Sequence, residues 1–419
     1  MAAMGLDAFR FSISWSRLIP DGRGPVNTKG LEYYNNFINE LIRNGIQPHV
    51  TLVHFDLPQV LHDEYGGWLS RNVVKDFVEF ADVCFREFGD RVSYWTTFNE
   101  INVHVLGGYD QGINPPGRCS MRSICPSGDS AREPYVALHN MLLSHSAVAK
   151  LYKEKYKATQ NGTLGINIYG MAIEPYTNST EDVIAAQRTL TFIIGWVLNP
   201  VFYGDYPDAM KESAKTRMPN FTKYESEQIK GSCDFIGVNY YFAIATKKSS
   251  STNMDIEDFF TDIGVDFIVS WGGVAAEQYP VNPEGLKTIL EYLKQAYGNP
   301  PIYIQENGQK MRRNTTLYDT PRVEYLQAHI GSVLAEIRNG SNIMGYFEWT
   351  LLDCLELMDG FQSSFGLYYV DLDDNELTRY QKLSAHWYSN FLRGNSIKPN
   401  AISELRKNGY ASLRSILSQ

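Results

Sequence analysis

Two glutamates stand at matching places in the chain and have the chemistry to cleave a glycosidic bond. Glu100 ends the segment Trp95–Glu100, and Glu306 ends the segment Ile302–Glu306 and opens a Glu-Asn-Gly sequence. Each follows a short apolar run typical of a β-strand. Two carboxylates at one site supply a group that protonates the leaving oxygen and a group that attacks or activates water. We therefore predict that Glu100 and Glu306 form a catalytic pair.

The elements that must position this pair alternate between strand and helix patterns. Seven strand-like apolar runs occur, at Ala8–Ser14, Pro48–Val53, Tyr94–Phe98, Gly165–Tyr169, Asp234–Asn239, Ile302–Gln305 and Met344–Trp349. Helical spacing of apolar residues lies between them, at Leu31–Arg43, Val73–Phe88, Tyr135–Tyr156, Pro283–Tyr297 and Val323–Arg338. This alternation predicts a parallel sheet, whose strands deliver side chains from their C-terminal ends to one rim.

Composition favours one large domain and argues against binding to nucleic acid and insertion into a membrane. The chain has 419 residues, of which 43% are hydrophobic, so a barrel with long loops can span 1–419 as one domain. The net charge of −9, without a basic stripe, argues against nucleic acid. The longest apolar stretch, Phe192–Tyr203, is too short to cross a membrane.

The two glutamate motifs together resemble those of the retaining β-glycosidases of glycoside hydrolase family 1, in the plant β-glucosidase branch. The resemblance extends from Leu6 to about Leu392. It implies an α/β fold, the (β/α)8 TIM barrel, and hydrolysis of small β-D-glucosides by double displacement, without a cofactor or metal. Seven strands are one fewer than eight. We therefore expect an N-terminally truncated barrel that lacks its first strand and helix.

The resemblance assigns roles at the catalytic centre. Glu306 is expected to be the nucleophile, kept ionised by Arg10 and Tyr241. Glu100 is expected to be the acid/base, with a pKa raised by the charge of Glu306 roughly 5 Å away, the separation typical of a retaining enzyme. Glu100 also argues against the thioglucosidase branch, in which glutamine replaces the acid/base.

The resemblance also assigns six residues to substrate binding: His54, Asn99, Asn239, Trp349, Glu356 and Phe365. Asn99 is expected to bind the sugar 2-hydroxyl and Glu356 to bind two hydroxyls. Trp349 is expected to offer a flat face to the C–H groups of the sugar. By contrast, His139 and His145 lie six residues apart on a predicted helix, the wrong spacing for a shared metal, and are interpreted as structural.

Three positions depart from the family pattern. Leu357 follows Glu356 where the family usually has tryptophan, Gln305 replaces the usual threonine before the nucleophile, and Ser364 stands where many members have arginine. The missing tryptophan removes an indole N–H that would bind a sugar hydroxyl. We expect a change in affinity or sugar preference, with both catalytic carboxylates retained.

Cysteines and sequons bear on the compartment. Cys119 and Cys125 bracket a short loop, and the resemblance favours a disulfide between them. Five sequons permit N-glycosylation, at Asn161, Asn178, Asn220, Asn314 and Asn339. No signal peptide is visible at the start of the sequence. We expect the full-length form in the secretory pathway, extracellular or vacuolar, and leave the compartment of this chain open.

Two other functions fit the same residues. A transglucosidase would pass the sugar to an acceptor alcohol at the same intermediate. A catalytically silent sugar-binding isoform would result from the missing strand. The sequence does not indicate the aglycone or the oligomeric state.

Overall fold

The structure, a computed structural model, describes residues 1–249, 257–313 and 317–394. The strands in these ranges are β1 (Ala8–Ser12), β2 (Gln47–Val53), β3 (Tyr94–Phe98), β4 (Thr163–Tyr169), β5 (Ala172–Pro175), β6 (Phe235–Asn239), β7 (Ala243–Lys248), β8 (Val265–Ile268), β9 (Ile302–Glu306), β10 (Met311–Arg312), β11 (Ile343–Tyr346), β12 (Ser363–Ser364), β13 (Tyr368–Val370) and β14 (Arg379–Gln381). The α-helices are α1 (Trp15–Leu18), α2 (Thr28–Arg43), α3 (Gln59–Tyr65), α4 (Asn72–Phe88), α5 (Ile101–Val105), α6 (Glu133–Leu151), α7 (Lys157–Gln160), α8 (Thr180–Leu190), α9 (Trp196–Tyr203), α10 (Asp208–Ala214), α11 (Lys223–Ile229), α12 (Phe259–Ile263), α13 (Pro283–Tyr297), α14 (Thr320–Arg338) and α15 (Leu383–Leu392).

The largest sheet contains the seven predicted strands. They are all parallel, in the order β1-β2-β3-β4-β6-β9-β11, with β1 and β11 at the two edges. Arg10 on β1 contacts Glu306 on β9, five places away along the sheet, so the sheet curls toward a barrel. The C-terminal ends of the strands therefore share one rim, as predicted. The expectation of a further strand and helix before β1 stays a prediction.

Two predicted strands extend too far along the chain. The strand predicted at Ala8–Ser14 ends at Ser12, because the chain turns there into α1. The strand predicted at Met344–Trp349 ends at Tyr346. Beyond it the chain enters a loop, and the backbone N–H of Trp349 bonds to the loop after β9 rather than to the ladder.

One predicted helix becomes π-helical near its end, and the short strands outside the largest sheet were not predicted from the sequence. The helix predicted at Tyr135–Tyr156 is α-helical to Leu151 and continues as a π-helical turn in which Tyr152 and Tyr156 both pack on Phe85. The sheet β5-β7-β8 and the pairs β10-β12 and β13-β14 have strands of two to six residues. Most of these strands are too short to show a periodicity.

An aromatic cluster fixes the end of β3, where the site begins. Phe98 stacks on Phe77 of α4 with ring centroids 4.8 Å apart, and it meets Trp68 edge to face at 5.3 Å. All three residues are fully buried. The backbone that enters Glu100 is therefore held by packed rings.

In the part of the chain that the structure describes, every helix is too short or too polar to span a bilayer.

The surface features predicted from the sequence have clear positions. The disulfide between Cys119 and Cys125 is confirmed, with the two Cα atoms 5.5 Å apart. Four sequon asparagines are exposed, namely Asn161, Asn178, Asn220 and Asn339. The fifth, Asn314, lies outside the described residues.

Candidate active site

Glu306 is held by a cation and a phenol at the C-terminal end of β9. Its Oε1 accepts a hydrogen bond from Arg10 Nη1 at 2.7 Å, and its Oε2 accepts one from the Tyr241 hydroxyl at 2.8 Å. The Arg10 and Glu306 side chains are only 6% and 5% exposed. Burial, followed by the charge of Glu306, raises the pKa of Tyr241 well above its usual value, so this phenol keeps its proton and donates. The two donors stabilise the ionised carboxylate and fix its orientation.

Glu100 lies just after β3 in a left-handed backbone conformation, with φ 42° and ψ 54°. Its backbone N–H donates to Asn167 Oδ1 at 2.8 Å, and its Oε1 accepts from Asn239 Nδ2 at 2.9 Å. Burial, and then the charge of Glu306, raise the pKa of Glu100 to about 8. Glu100 is therefore mostly protonated at neutral pH, as a general acid must be. The sequence interpretation named only the charge, whereas burial is the larger cause.

Asn99 joins the two halves of the site. Its Oδ1 accepts from Arg10 Nη2 at 2.6 Å and from Asn239 Nδ2 at 3.0 Å. Its Nδ2 donates to His54 Nε2 at 3.2 Å. Burial lowers the pKa of His54 to about 4, so the imidazole is neutral and accepts this bond. The Asn99 amide therefore has one orientation, with its nitrogen toward the histidine.

The remaining predicted binding residues lie beside this group. The Trp349 indole N–H donates to Glu356 Oε1 at 3.3 Å, and the Trp349 ring lies 5.8 Å from that of His54. Phe365 meets the Tyr241 ring edge to face at 5.8 Å. Burial raises the pKa of Glu356 to about 7. With these contacts, the ten predicted catalytic and binding residues form one continuous cluster.

The loop after Glu306 explains the rest of the Glu-Asn-Gly sequence. Asn307 Nδ2 donates to the Tyr240 carbonyl at 2.6 Å, and Asn307 Oδ1 accepts from the Tyr346 hydroxyl at 2.7 Å. At Gly308, an added Cβ would lie 1.8 Å from the Trp349 carbonyl oxygen. Only glycine allows this approach, which brings the loops after β9 and β11 together.

Two departures from the family pattern have structural consequences. Leu357 is 53% exposed and offers no hydrogen-bond donor. Ser364 donates to Asp353 Oδ1 at 2.7 Å and accepts from Lys382 at 2.7 Å, inside a buried polar group. Within the described ranges, the hydrogen bonds of the Ser364 side chain go to Arg322, Asp353 and Lys382, and none goes to Glu100 or Glu306.

Three polar side chains beneath the carboxylates were not assigned to the site from the sequence. Asn167 Nδ2 donates to Gln305 Oε1 at 2.9 Å, and Gln305 Nε2 donates to Thr96 Oγ1 at 2.8 Å. All three are buried in the sheet. The signal that could have found Asn167 is a lone amide between apolar residues in a predicted strand.

The histidines interpreted as structural are buried and bonded to protein groups. His139 Nδ1 bonds to the Tyr206 hydroxyl at 2.9 Å, and His145 Nδ1 bonds to Thr97 Oγ1 at 2.8 Å. Among the residues in the described ranges, no three His, Cys, Asp or Glu side chains are grouped as a metal site would require.

The sequence is similar to known glycosidases. Residues 1–397 match the family described as Glycosyl hydrolase family 1. The chain is 53% identical to Beta-glucosidase 3 of Arabidopsis thaliana over 407 residues, covering 94% of this chain and 79% of that protein. It is 50% identical to Beta-glucosidase 22 of Oryza sativa subsp. japonica over 404 residues, covering 94% and 76%.

Two solved β-glucosidase structures are also similar to this chain. A mutant rice β-glucosidase in a covalent complex with glucose has a TM-score of 0.89 and 42% identity, covering 93% of this chain and 85% of that chain. A β-glucosidase from the fungus Humicola insolens, in complex with glucose, has a TM-score of 0.88 and 35% identity, covering 93% and 84%.

Proposed function

Because the chain belongs to glycosyl hydrolase family 1 and is a β-glucosidase, we propose that Glu306 is its nucleophile and Glu100 its acid/base. The family fold is the (β/α)8 TIM barrel, to which the described residues contribute seven parallel strands. One observation carries the assignment. Glu306 accepts hydrogen bonds from a cation and a phenol, whereas Glu100 accepts one from an amide and has a raised pKa.

The first half-reaction forms a glucosyl ester. A Glu306 oxygen attacks the anomeric carbon, the bond from that carbon to the aglycone oxygen breaks, and Glu100 gives its proton to the departing oxygen. Glu306 becomes a neutral ester, and Glu100 becomes the only carboxylate of the pair. The covalent glucose in the rice relative supports such an intermediate.

The second half-reaction reverses the roles. Glu100 takes a proton from water, whose oxygen attacks the anomeric carbon, and the bond to Glu306 breaks. The Glu306 ester leaves as a carboxylate, which Arg10 and Tyr241 stabilise through the bonds already in place. Two inversions give glucose with retained β configuration.

We propose that the glucosyl group is bound by the cluster around the two carboxylates. Its members besides the pair are His54, Asn99, Asn239, Trp349, Glu356 and Phe365. Among the residues that the structure describes, the Trp349 indole and the Cys354 thiol both donate to Glu356 Oε1. That leaves Oε2 for a sugar hydroxyl. No observation favours transglucosylation or a silent isoform.

Azide rescue tests the two roles. In Glu306→Gly, azide enters the space left by the side chain and displaces an activated aryl leaving group directly, so we expect the α-glucosyl azide. In the matched variant Glu100→Gly, azide attacks the glucosyl ester on Glu306, so we expect the β-glucosyl azide. Proton NMR of the anomeric centre distinguishes the products. A β product from Glu306→Gly would exclude Glu306 as the nucleophile.

We propose that the protein enters the secretory pathway, where it is N-glycosylated. The disulfide and four exposed sequons support this. The test is a mobility shift on glycosidase treatment of the protein from its native tissue. An unshifted band would contradict the proposal.

A further inference from the structure

A buried amide on β4 contacts both the backbone of Glu100 and the residue that faces its carboxyl group. Asn167 is 0% exposed. Its Oδ1 accepts the Glu100 N–H at 2.8 Å, and its Nδ2 donates to Asn239 Oδ1 at 2.7 Å and to Gln305 Oε1 at 2.9 Å. Every polar atom of this side chain is therefore bonded.

The orientation of this amide follows from chemistry. A backbone N–H can only donate, so Asn167 must turn its oxygen toward Glu100 and its nitrogen toward Asn239. Asn239 must then accept with its oxygen, and its nitrogen points to Glu100 Oε1 at 2.9 Å. The Glu100 N–H thus favours, through two amides, the same orientation of Asn239 that the bond from Asn239 Nδ2 to Asn99 Oδ1 requires.

The packing around the Asn167 and Gln305 amides is close. A Cβ at Gly237 on β6 would lie 2.2 Å from Gln305 Oε1 and 2.9 Å from Asn167 Nδ2, so a glycine makes room for this amide pair. The Gln305 amide is itself anchored on Thr96 Oγ1 at 2.8 Å.

The backbone at Glu100 needs such support. A positive φ is uncommon for a residue other than glycine and strains the backbone. The bond from Glu100 N–H to Asn167 is a side-chain contact that holds this conformation, since the residue has left the β3 ladder.

We propose that Asn167 is a positioning residue for Glu100: it anchors the left-handed backbone and orients the Asn239 amide so that an N–H meets the Glu100 carboxyl group. The proposal rests on the proposed acid/base role. The donor stabilises Glu100 as a carboxylate after it has given up its proton. Without Asn167, only the bond to Asn99 Oδ1 at 3.0 Å still orients the Asn239 amide, so its N–H is held less firmly against the Glu100 carboxyl group.

Other titratable groups face Glu100 and stay the same in every variant. They are Arg10 on β1, Glu306 on β9, Glu356 after β11, and the phenols Tyr169, Tyr241 and Tyr279. Only differences between variants therefore report on Asn167.

The experiment compares pH profiles of kcat/KM for a glucoside whose leaving group needs protonation as it departs. Glu100→Gln identifies the basic limb, which must disappear if that limb belongs to Glu100. In Asn167→Leu we expect the limb to move up by as much as about one pH unit, the value that corresponds to the loss of one hydrogen bond to a charged group. Asn167→Ser, too short to reach both partners, serves if leucine prevents folding, and we expect the same direction. Gln305→Met is the matched control, because it removes an amide of the same layer and keeps the Glu100 N–H bond.

The outcomes separate the two proposals. Loss of the limb in Glu100→Gln, with a shift in the Asn167 variants and none in Gln305→Met, supports both. A limb that stays in Glu100→Gln overturns the acid/base role and, with it, the role of Asn167. A limb that disappears in Glu100→Gln but is unmoved in folded Asn167 variants, or moves equally in Gln305→Met, overturns the role of Asn167 alone.

Discussion

Removing Arg10 is expected to destabilise the fold as well as the site. Its side chain is 6% exposed and forms an ion pair with Glu306, which is 5% exposed. Arg10→Met keeps an unbranched apolar stem and removes the cation, which leaves a buried carboxylate without its partner. Breaking a buried pair in this way costs about 3 to 5 kcal/mol. For a chain of 419 residues, this corresponds to a Tm lower by about 3 to 6 °C.

A double-mutant cycle separates the pair from the packing. Arg10→Met, Glu306→Gln and the combined variant are compared with the wild type by thermal denaturation followed by near-UV circular dichroism. The combined variant buries no unpaired charge, so its decrease in Tm is expected to be smaller than the sum of the decreases in the two single variants. Arg43→Met is the control, because its pair with Glu40 is 72% and 58% exposed and contributes little. We expect that control to change Tm by less than about 1 °C.

Two results would refute this reasoning. An unchanged Tm in Arg10→Met would mean that the buried carboxylate does not depend on the cation. Strictly additive losses in the cycle would mean that Arg10 and Glu306 stabilise the protein independently, through packing alone.

Three further outcomes are expected. Glu100→Gln should slow substrates with poor leaving groups by about 10²- to 10⁴-fold and activated aryl glucosides far less. Equal losses for both substrates would contradict the proposed acid/base role of Glu100. In the wild type, kcat/KM should fall as pH rises through about 8, where Glu100 loses its proton. Tyr241→Phe removes a hydrogen-bond donor to Glu306 and should lower kcat/KM by about 10- to 100-fold. Tyr240→Phe should leave kcat/KM unchanged in the same assay, because the Tyr240 hydroxyl bonds to the Asn282 carbonyl and not to Glu306. Replacing Cys119 and Cys125 by serine should lower the free energy of unfolding by about 2 kcal/mol in denaturant titration, with kcat unchanged, because a short loop loses its constraint; an unchanged midpoint would refute this.

The local features of the site could be predicted from the sequence. A β-strand pattern is visible within about five residues, so the placement of Glu100 and Glu306 after apolar runs was readable without any tertiary information. The parallel arrangement followed from the alternation with helices, and it implied one shared rim. The family resemblance then added Arg10, Tyr241 and the binding residues, which share no local pattern.

Other features depended on the tertiary structure. Asn167 contacts residues 67, 72 and 138 positions away, and those partners are set by strand order and register rather than by any periodicity in the sequence. The left-handed backbone of Glu100 is likewise invisible in its residue type, since glutamate rarely adopts it.

The electrostatics of Glu100 show the same division. The sequence determined that two carboxylates would meet, and so that one would raise the pKa of the other. It did not determine that burial would be the larger cause for Glu100. Desolvation depends on how completely neighbouring elements exclude water from a side chain, and that quantity exists only once the strands, loops and helices have packed together.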